Sequence, residues 1–323
     1  MKRSILTISL SFLLMTLVAP LSYAQSASTS TQEVAKEETE AEVYKVWYQA
    51  NDSKDYAKAM ELAQAYLKKF PTGQYSDYMK KWVVDTRARL FNQARDAKKI
   101  AEEIRLGQEA LVSEPENIDY LYLLAVDLRT HELSASPPNY THAKEASDFT
   151  QRVIKLIEAD KIPNVVPKEK WNKNLSLAFF YHTLATIEKN KQNLDTAIEY
   201  NNKSIALDQQ SPIYLLTGGS YHQEKYQLAS KKLNALPEQD RKLPEVKTTL
   251  DELNSEADVI IELWAKFLAL TVNNSAYGAT RKEVEQITTT LYQYRHPDTP
   301  NGLEELIKKY TPSTNPEKSS TPK

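Results

Sequence analysis

The chain contains no cysteine among its 323 residues, which excludes disulfides, thiolate metal sites, a cysteine nucleophile and a lipid-modified cysteine. Glycine is scarce, with six residues, and neither a Gly-rich phosphate loop nor a Gly-x-Ser-x-Gly elbow occurs. There is no basic excess: 41 Lys and Arg stand against 43 Asp and Glu, for a formal net charge of -2. That balance lacks the clustered positive surface of a nucleic-acid binder. The five histidines, His131, His142, His182, His222 and His296, show neither the spacing of a helical metal pair nor a zinc-protease arrangement. Beyond the first residues, no apolar run approaches the ~20 residues that a membrane-spanning helix needs. Paired carboxylates such as Glu102-Glu103 read as solvated helix faces, since acid-base work requires burial and convergence. No catalytic constellation, cofactor motif or metal site is expected, and the chain reads as a non-enzyme.

The first residues follow the order of an export leader. Lys2 and Arg3 precede an apolar or hydroxylic run from Ile5 to Val18, and Ser22-Tyr23-Ala24 supplies the small residues of a cleavage site. Cleavage after Ala24 gives a periplasmic or secreted protein with no membrane insertion, and moves the formal charge from -2 to -4. An uncleaved anchor is the alternative, disfavoured by Pro20. Residues 25–40, rich in Ser, Thr, Gln and Glu, and residues 311–323, with three prolines, bury too little apolar surface to offset their ordering entropy and read as a tether and a tail.

Between them, abundant Ala, Leu, Lys and Glu with few glycines imply helices joined by short turns. In residues 178–211, Tyr181, Leu184 and Ala185 form the stripe of one helix and Ala197 and Ser204 that of the next, with a polar turn at Gln192-Asn193. The small residues permit close helix approach. A second unit places Ala59, Leu62, Ala63, Tyr66 and Leu67 on a helix ending at Phe70-Pro71, preceded by one that carries Val43, Val46 and Trp47. A third has a helix ending at Glu114-Pro115, then Leu121, Leu124, Ala125 and Leu128 behind caps at Asn117 and Asp119. Its partner carries Ala143, Ala146, Phe149, Val153, Ile154 and Ile157, and Pro212 opens a further helix with Gly218-Gly219. These segments resemble tetratricopeptide repeats, most clearly over 178–211. The resemblance implies an all-α, TPR-like α-solenoid of antiparallel helix pairs over residues 41–236.

Over residues 237–310, Val246, Leu250, Leu253, Ala257, Ile260, Trp264 and Phe267 recur at alternating steps of four and three. This heptad-like stripe predicts a long helix, either a C-terminal cap covering the last repeat or a homodimer contact through 245–271. Tyr75, Tyr78 and Trp82 share one face and read as core or as an aromatic platform. The Asn139-Tyr140-Thr141 and Asn273-Asn274-Ser275 sequons occur readily by chance and matter only in a eukaryotic secretory route.

The family resemblance implies that first helices line a partner groove. It places Asp119, Tyr122, Val126 and Arg129 on one such helix and Phe179, His182, Thr186 and Lys189 on the next. That mixed polar and aromatic surface suits a protein or peptide partner, with Arg129 and Lys189 meeting carboxylates. His182 and His222 fall on adjacent first helices, as packing residues or, less simply, as facing metal ligands. The chain therefore reads as an envelope scaffold or adaptor, with a helical small-molecule or glycan-binding protein as the alternative.

Overall fold

The computed structural model describes residues 38–237 and 244–312; the expected leader and most of the expected tether and tail lie outside them. Among the described residues there are twelve α-helices and no strand. They fall into two compact units that divide after Gly73.

The first unit is one helix pair, α1 (Glu40–Asp52) and α2 (Tyr56–Lys69). Helix α1 starts where the chemistry of its first turn directs: the Thr39 side chain caps the Glu42 amide while the Glu42 carboxylate returns to the Thr39 amide. This reciprocal cap contributes about 1 kcal/mol, and it makes Glu40, expected as the last tether residue, the first of a helix. Trp47, Ala59, Ala63 and Tyr66 are fully buried between the two helices. Val46 is 51% exposed, because it precedes Trp47 by one residue and so points away from the shared stripe.

The second unit continues with α3 (Ser76–Asp96), α4 (Ile100–Ser113), α5 (Ile118–Leu128), α6 (Ala143–Glu158), α7 (Lys173–Asn190), α8 (Leu194–Leu207), α9 (Pro212–Asn234), α10 (Pro244–Leu270), α11 (Gly278–Arg295) and α12 (Gly302–Tyr310). From α3 to α11 consecutive helices pack on one another, forming a solenoid of antiparallel pairs. Tyr75 and Trp82 are half-buried and Tyr78 is exposed, while Ser76, Met79, Val83 and Thr86 form the buried stripe of α3.

Two kinds of joint alternate. Within the pairs α1/α2, α3/α4 and α7/α8 a three-residue turn places Lys54, Lys98 and Gln192 in the left-handed region, at φ 62°, 54° and 65°. The following amide in each reaches back to the last helical turn, Asp55 to Ala50, Lys99 to Ala94 and Asn193 to Glu188; the helix end is thereby closed without glycine. Between pairs, α2, α4 and α8 end on Phe70, Glu114 and Asp208 with extended φ from -128° to -142°. Phe70 and Glu114 precede prolines, which disfavour helical backbone at the residue before them.

The main core runs through α3 to α7 and includes Phe91, Leu121, Leu124, Leu128, Phe149, Val153, Ile157 and Phe180. A second core gathers Leu215, Ala257, Ile260, Trp264, Phe267, Val284 and Leu291. The heptad stripe of α10 is thus covered inside the chain by α9, α11 and α12, apart from Leu250, 36% exposed.

Candidate functional site

Helices α5, α7 and α9 are the first members of successive pairs, and side chains join them edge to edge. Tyr122 of α5 meets Phe180 of α7 edge-on at 5.5 Å between ring centroids, and Trp171 at 6.3 Å. His182 of α7 lies 4.9 Å from the Tyr214 ring of α9. Further along, the Lys189 ammonium pairs with Glu224 of α9 at 2.9 Å. Tyr122, Val126, Phe179 and Thr186 are half-buried along this layer, as helical steps of three and four require for residues that share a face.

Arg129 stands where α5 ends and the chain widens into a π-helical turn, Arg129–Leu133; such turns re-aim side chains and recur at functional sites. The Thr130 hydroxyl donates to the Val126 carbonyl at 2.7 Å. Glu132, buried, anchors the loop that follows: its Oε1 accepts from Asn139 Nδ2 at 3.2 Å and contacts His142 Nδ1 at 2.8 Å. Fixed in this way, the Arg129 guanidinium donates from Nη1 to Thr186 Oγ1 at 3.2 Å and from Nη2 to His182 Nδ1 at 3.1 Å.

These contacts determine the tautomer of His182. A guanidinium has no acceptor, so Nδ1 carries the lone pair and Nε2 the proton, which Nε2 donates to Thr217 Oγ1 of α9 at 3.2 Å. Burial, with the Arg129 charge as a smaller cause, pushes the imidazole pKa down to about 3, so the ring is neutral at physiological pH. Burial pushes the hydroxyls of Tyr214 and Tyr221 up to about 12, which keeps them as neutral hydrogen-bonding groups.

Of the eight residues expected on this surface, Arg129, His182 and Thr186 form one cluster, and Tyr122, Val126 and Phe179 flank it. Lys189 is engaged by Glu224. Asp119 faces a loop: its carboxylate accepts from the Asn164 amide at 2.6 Å, Asn164 Nδ2 at 3.1 Å and the Val165 amide at 3.3 Å. The helix cap expected from Asp119 is supplied by Asn117 alone, which accepts from the amides of Asp119 and Tyr120. Sequence reasoning missed the contribution of α9. Tyr214, Thr217, Tyr221 and Glu224 follow at steps of three, four and three, and that spacing was the available signal.

His182 and His222 do not bond to one another. His222 Nδ1 contacts Glu256 at 2.5 Å, and Lys225 bridges the same carboxylate, at 3.3 Å, to Asp195, at 3.1 Å. Among the described residues no group of three or more His, Asp or Glu is placed to hold a metal ion, and no helix is long and apolar enough to cross a membrane.

A separate cavity of about 440 Å³ lies among α8, α9, α10 and α12, with Asn202, Ile205, Gln209, Leu215, Lys266 and Tyr310 in its wall. The Tyr310 hydroxyl donates to Glu262 at 2.5 Å, and the Lys266 ammonium lies 5.1 Å above the Tyr310 ring.

No family model matches the chain, and no curated protein matches it significantly. Among solved structures it is similar to a thermophilic TPR protein of Thermus thermophilus. The two share 11% identity, with a TM-score of 0.31, over 77% of this chain and 100% of that one. The pairing of helices described above stands on its own packing.

Proposed function

We propose that this chain is an exported, non-catalytic scaffold that holds a segment of a protein partner along the layer formed by α5, α7 and α9. Export follows from the leader pattern of residues 1–24. The observation that carries the binding role is the composition of the layer. Half-buried Tyr122, Val126 and Phe179 flank a guanidinium that has no carboxylate partner among the described residues. Apolar edges around an unneutralised charge make a surface suited to a peptide segment with an acidic group. Successive first helices set side by side extend that surface along the array, as in other stacked-pair proteins.

Incorporation of a photo-crosslinking phenylalanine analogue at Phe179 is expected to yield discrete adducts in intact envelopes. The same analogue at Lys203, on the second helix of the α7/α8 pair, should yield few. Equal yields at both positions, or none at Phe179, would remove this layer as the binding surface.

The cavity bounded by Lys266 and Tyr310 favours a second reading, a small-molecule or glycan ligand held by amide side chains, one ammonium and an aromatic ring. Its volume falls within the range of ligand pockets. A ligand bound only by the folded state raises the melting temperature; a cell-wall sugar that does so in the wild type should lose the effect in Lys266→Met. A shift that persists in Lys266→Met would place the sugar elsewhere.

A further inference from the structure

The charge of Arg129 is uncompensated within the described residues, and this sets it apart from the other arginines that are partly withdrawn from solvent. Arg95 holds Asp127, Arg87 lies 3.7 Å from Glu109, and Arg295 pairs with Asp258. Arg281 donates to the Leu268 carbonyl and to Thr271 Oγ1, at 2.9 Å for the latter, where the C-terminus of α10 supplies partial negative charge. The direct partners of Arg129 are neutral, Thr186 and His182 as acceptors, and the Tyr140, Tyr214 and Tyr221 hydroxyls lie nearby. Burial lowers its pKa, a sign that the cation is held in surroundings that do not favour it. Removing a charge from water without a partner is unfavourable.

The guanidinium also has donors to spare. It carries five N–H groups; Nη1 and Nη2 each hold one acceptor, while Nε holds none and is not among the buried atoms without a partner, which leaves that donor for a ligand. The site carries a single net positive charge, because His182 is neutral and Lys189 is matched by Glu224. One positive charge with a planar fork and hydroxyl donors complements a monoanion of planar shape. A dianionic phosphate would leave one negative charge unmatched.

We propose that Arg129, held in place by Thr186 and flanked by the hydroxyls of Tyr140, Tyr214 and Tyr221, is a binding site for one carboxylate of a peptide partner. This rests on the proposed role of the layer and names the chemistry that it recognises. The carboxylate belongs either to an Asp or Glu side chain or to a chain terminus. The neutral, Nδ1-accepting His182 acts as a positioning residue that orients the fork through Nη2.

The test is an NMR titration of the full chain, following the Arg129 Nε–Hε and His182 ring signals at constant ionic strength. Three probes are compared: an acetylated and amidated Ala-Glu-Ala peptide, its Ala-Gln-Ala counterpart, and acetylated Ala-Ala-Ala with a free C-terminus. Saturable shifts with either carboxylate peptide and none with the glutamine peptide are expected, and the stronger of the two identifies the source. Arg129→Met should bind the preferred peptide at least about tenfold more weakly, while its melting temperature stays close to that of the wild type. Equal responses to Glu and Gln peptides, or tighter saturation by inorganic phosphate than by either carboxylate, would overturn the assignment. A Phe179 cross-link that persists in Arg129→Met would show that the layer binds a partner without this site, which separates the two failures.

Discussion

Replacing Arg95 with methionine is expected to destabilise the fold by about 3–5 kcal/mol, the range for removing one partner of a buried ion pair. Arg95, at the end of α3, donates to Asp127 of α5 from Nε at 2.5 Å and from Nη2 at 3.3 Å. A second acid, Glu103 of α4, expected on a solvated face, is instead 2% exposed, because it turns toward α3 and α5 and lies 3.8 Å from the same Nε. One guanidinium thus serves two carboxyl groups on two other helices, and its loss leaves both facing one another in the core. Urea denaturation at neutral pH measures the effect; a loss below about 1 kcal/mol would show that solvent reaches the cluster and screens it.

The same cluster sets a pH dependence. Burial, reinforced by the charge of Asp127, pushes Glu103 up to about 8 from an ordinary 4.5. Between these values the folded chain holds a proton that the unfolded chain has released, so stability falls as pH rises through that window. Its contribution is fully present below 4.5 and is lost above about 8. Glu103→Gln keeps the shape, removes the titration and should flatten the slope over this window. An unchanged slope would assign it to other groups.

Enlarging Gly219 is the other substitution with a large expected effect. Helix α9 carries Gly218 and Gly219 toward different neighbours. A methyl at Gly218 would sit 2.8 Å from Asn201 Nδ2 of α8, which donates to the Tyr214 carbonyl. A methyl at Gly219 would overlap the indole of Trp264 on α10. Trp264 is 2% exposed and donates from Nε1 to the Leu216 carbonyl at 3.3 Å, so the ring has nowhere to move. Overpacking of this kind costs about 1–3 kcal/mol for one methyl, and Gly219→Val should exceed Gly219→Ala. Gly278 at the start of α11 has nothing within 4 Å of the added atom, so Gly278→Ala should be neutral or stabilising by up to about 1 kcal/mol. Melting temperatures rising in the order Gly219→Val, Gly219→Ala, wild type would support the geometry; equal stability of Gly219→Ala and Gly278→Ala would contradict it.

Much of this packing was legible in the sequence because it depends on local spacing. Ala185, Ala197 and Ser204 are fully buried where small residues predicted close approach, and Phe70-Pro71 and Glu114-Pro115 mark where two helices stop. The joints at Lys54, Lys98 and Gln192 were harder to foresee, since residues that rarely adopt positive φ occupy positions usually given to glycine. The repeat resemblance set Arg129, His182 and Thr186 on one surface, where hydrogen bonds join them. It could not show that Asp119 is taken by the Asn164 loop or Lys189 by Glu224, because those partners lie far away in the chain. The π turn that begins at Arg129 has no signature in composition.

The packing of α11 and α12 against α10 bears on how far the array can grow. In a stack of pairs, each apolar flank is a template for the next pair, so an open end invites polymerisation. Here Val284, Leu291 and Leu303 close that flank, while Lys282, Glu283, Glu285 and Gln286 of α11 face outward. That charged outer row offers no apolar template on which a further pair could stack.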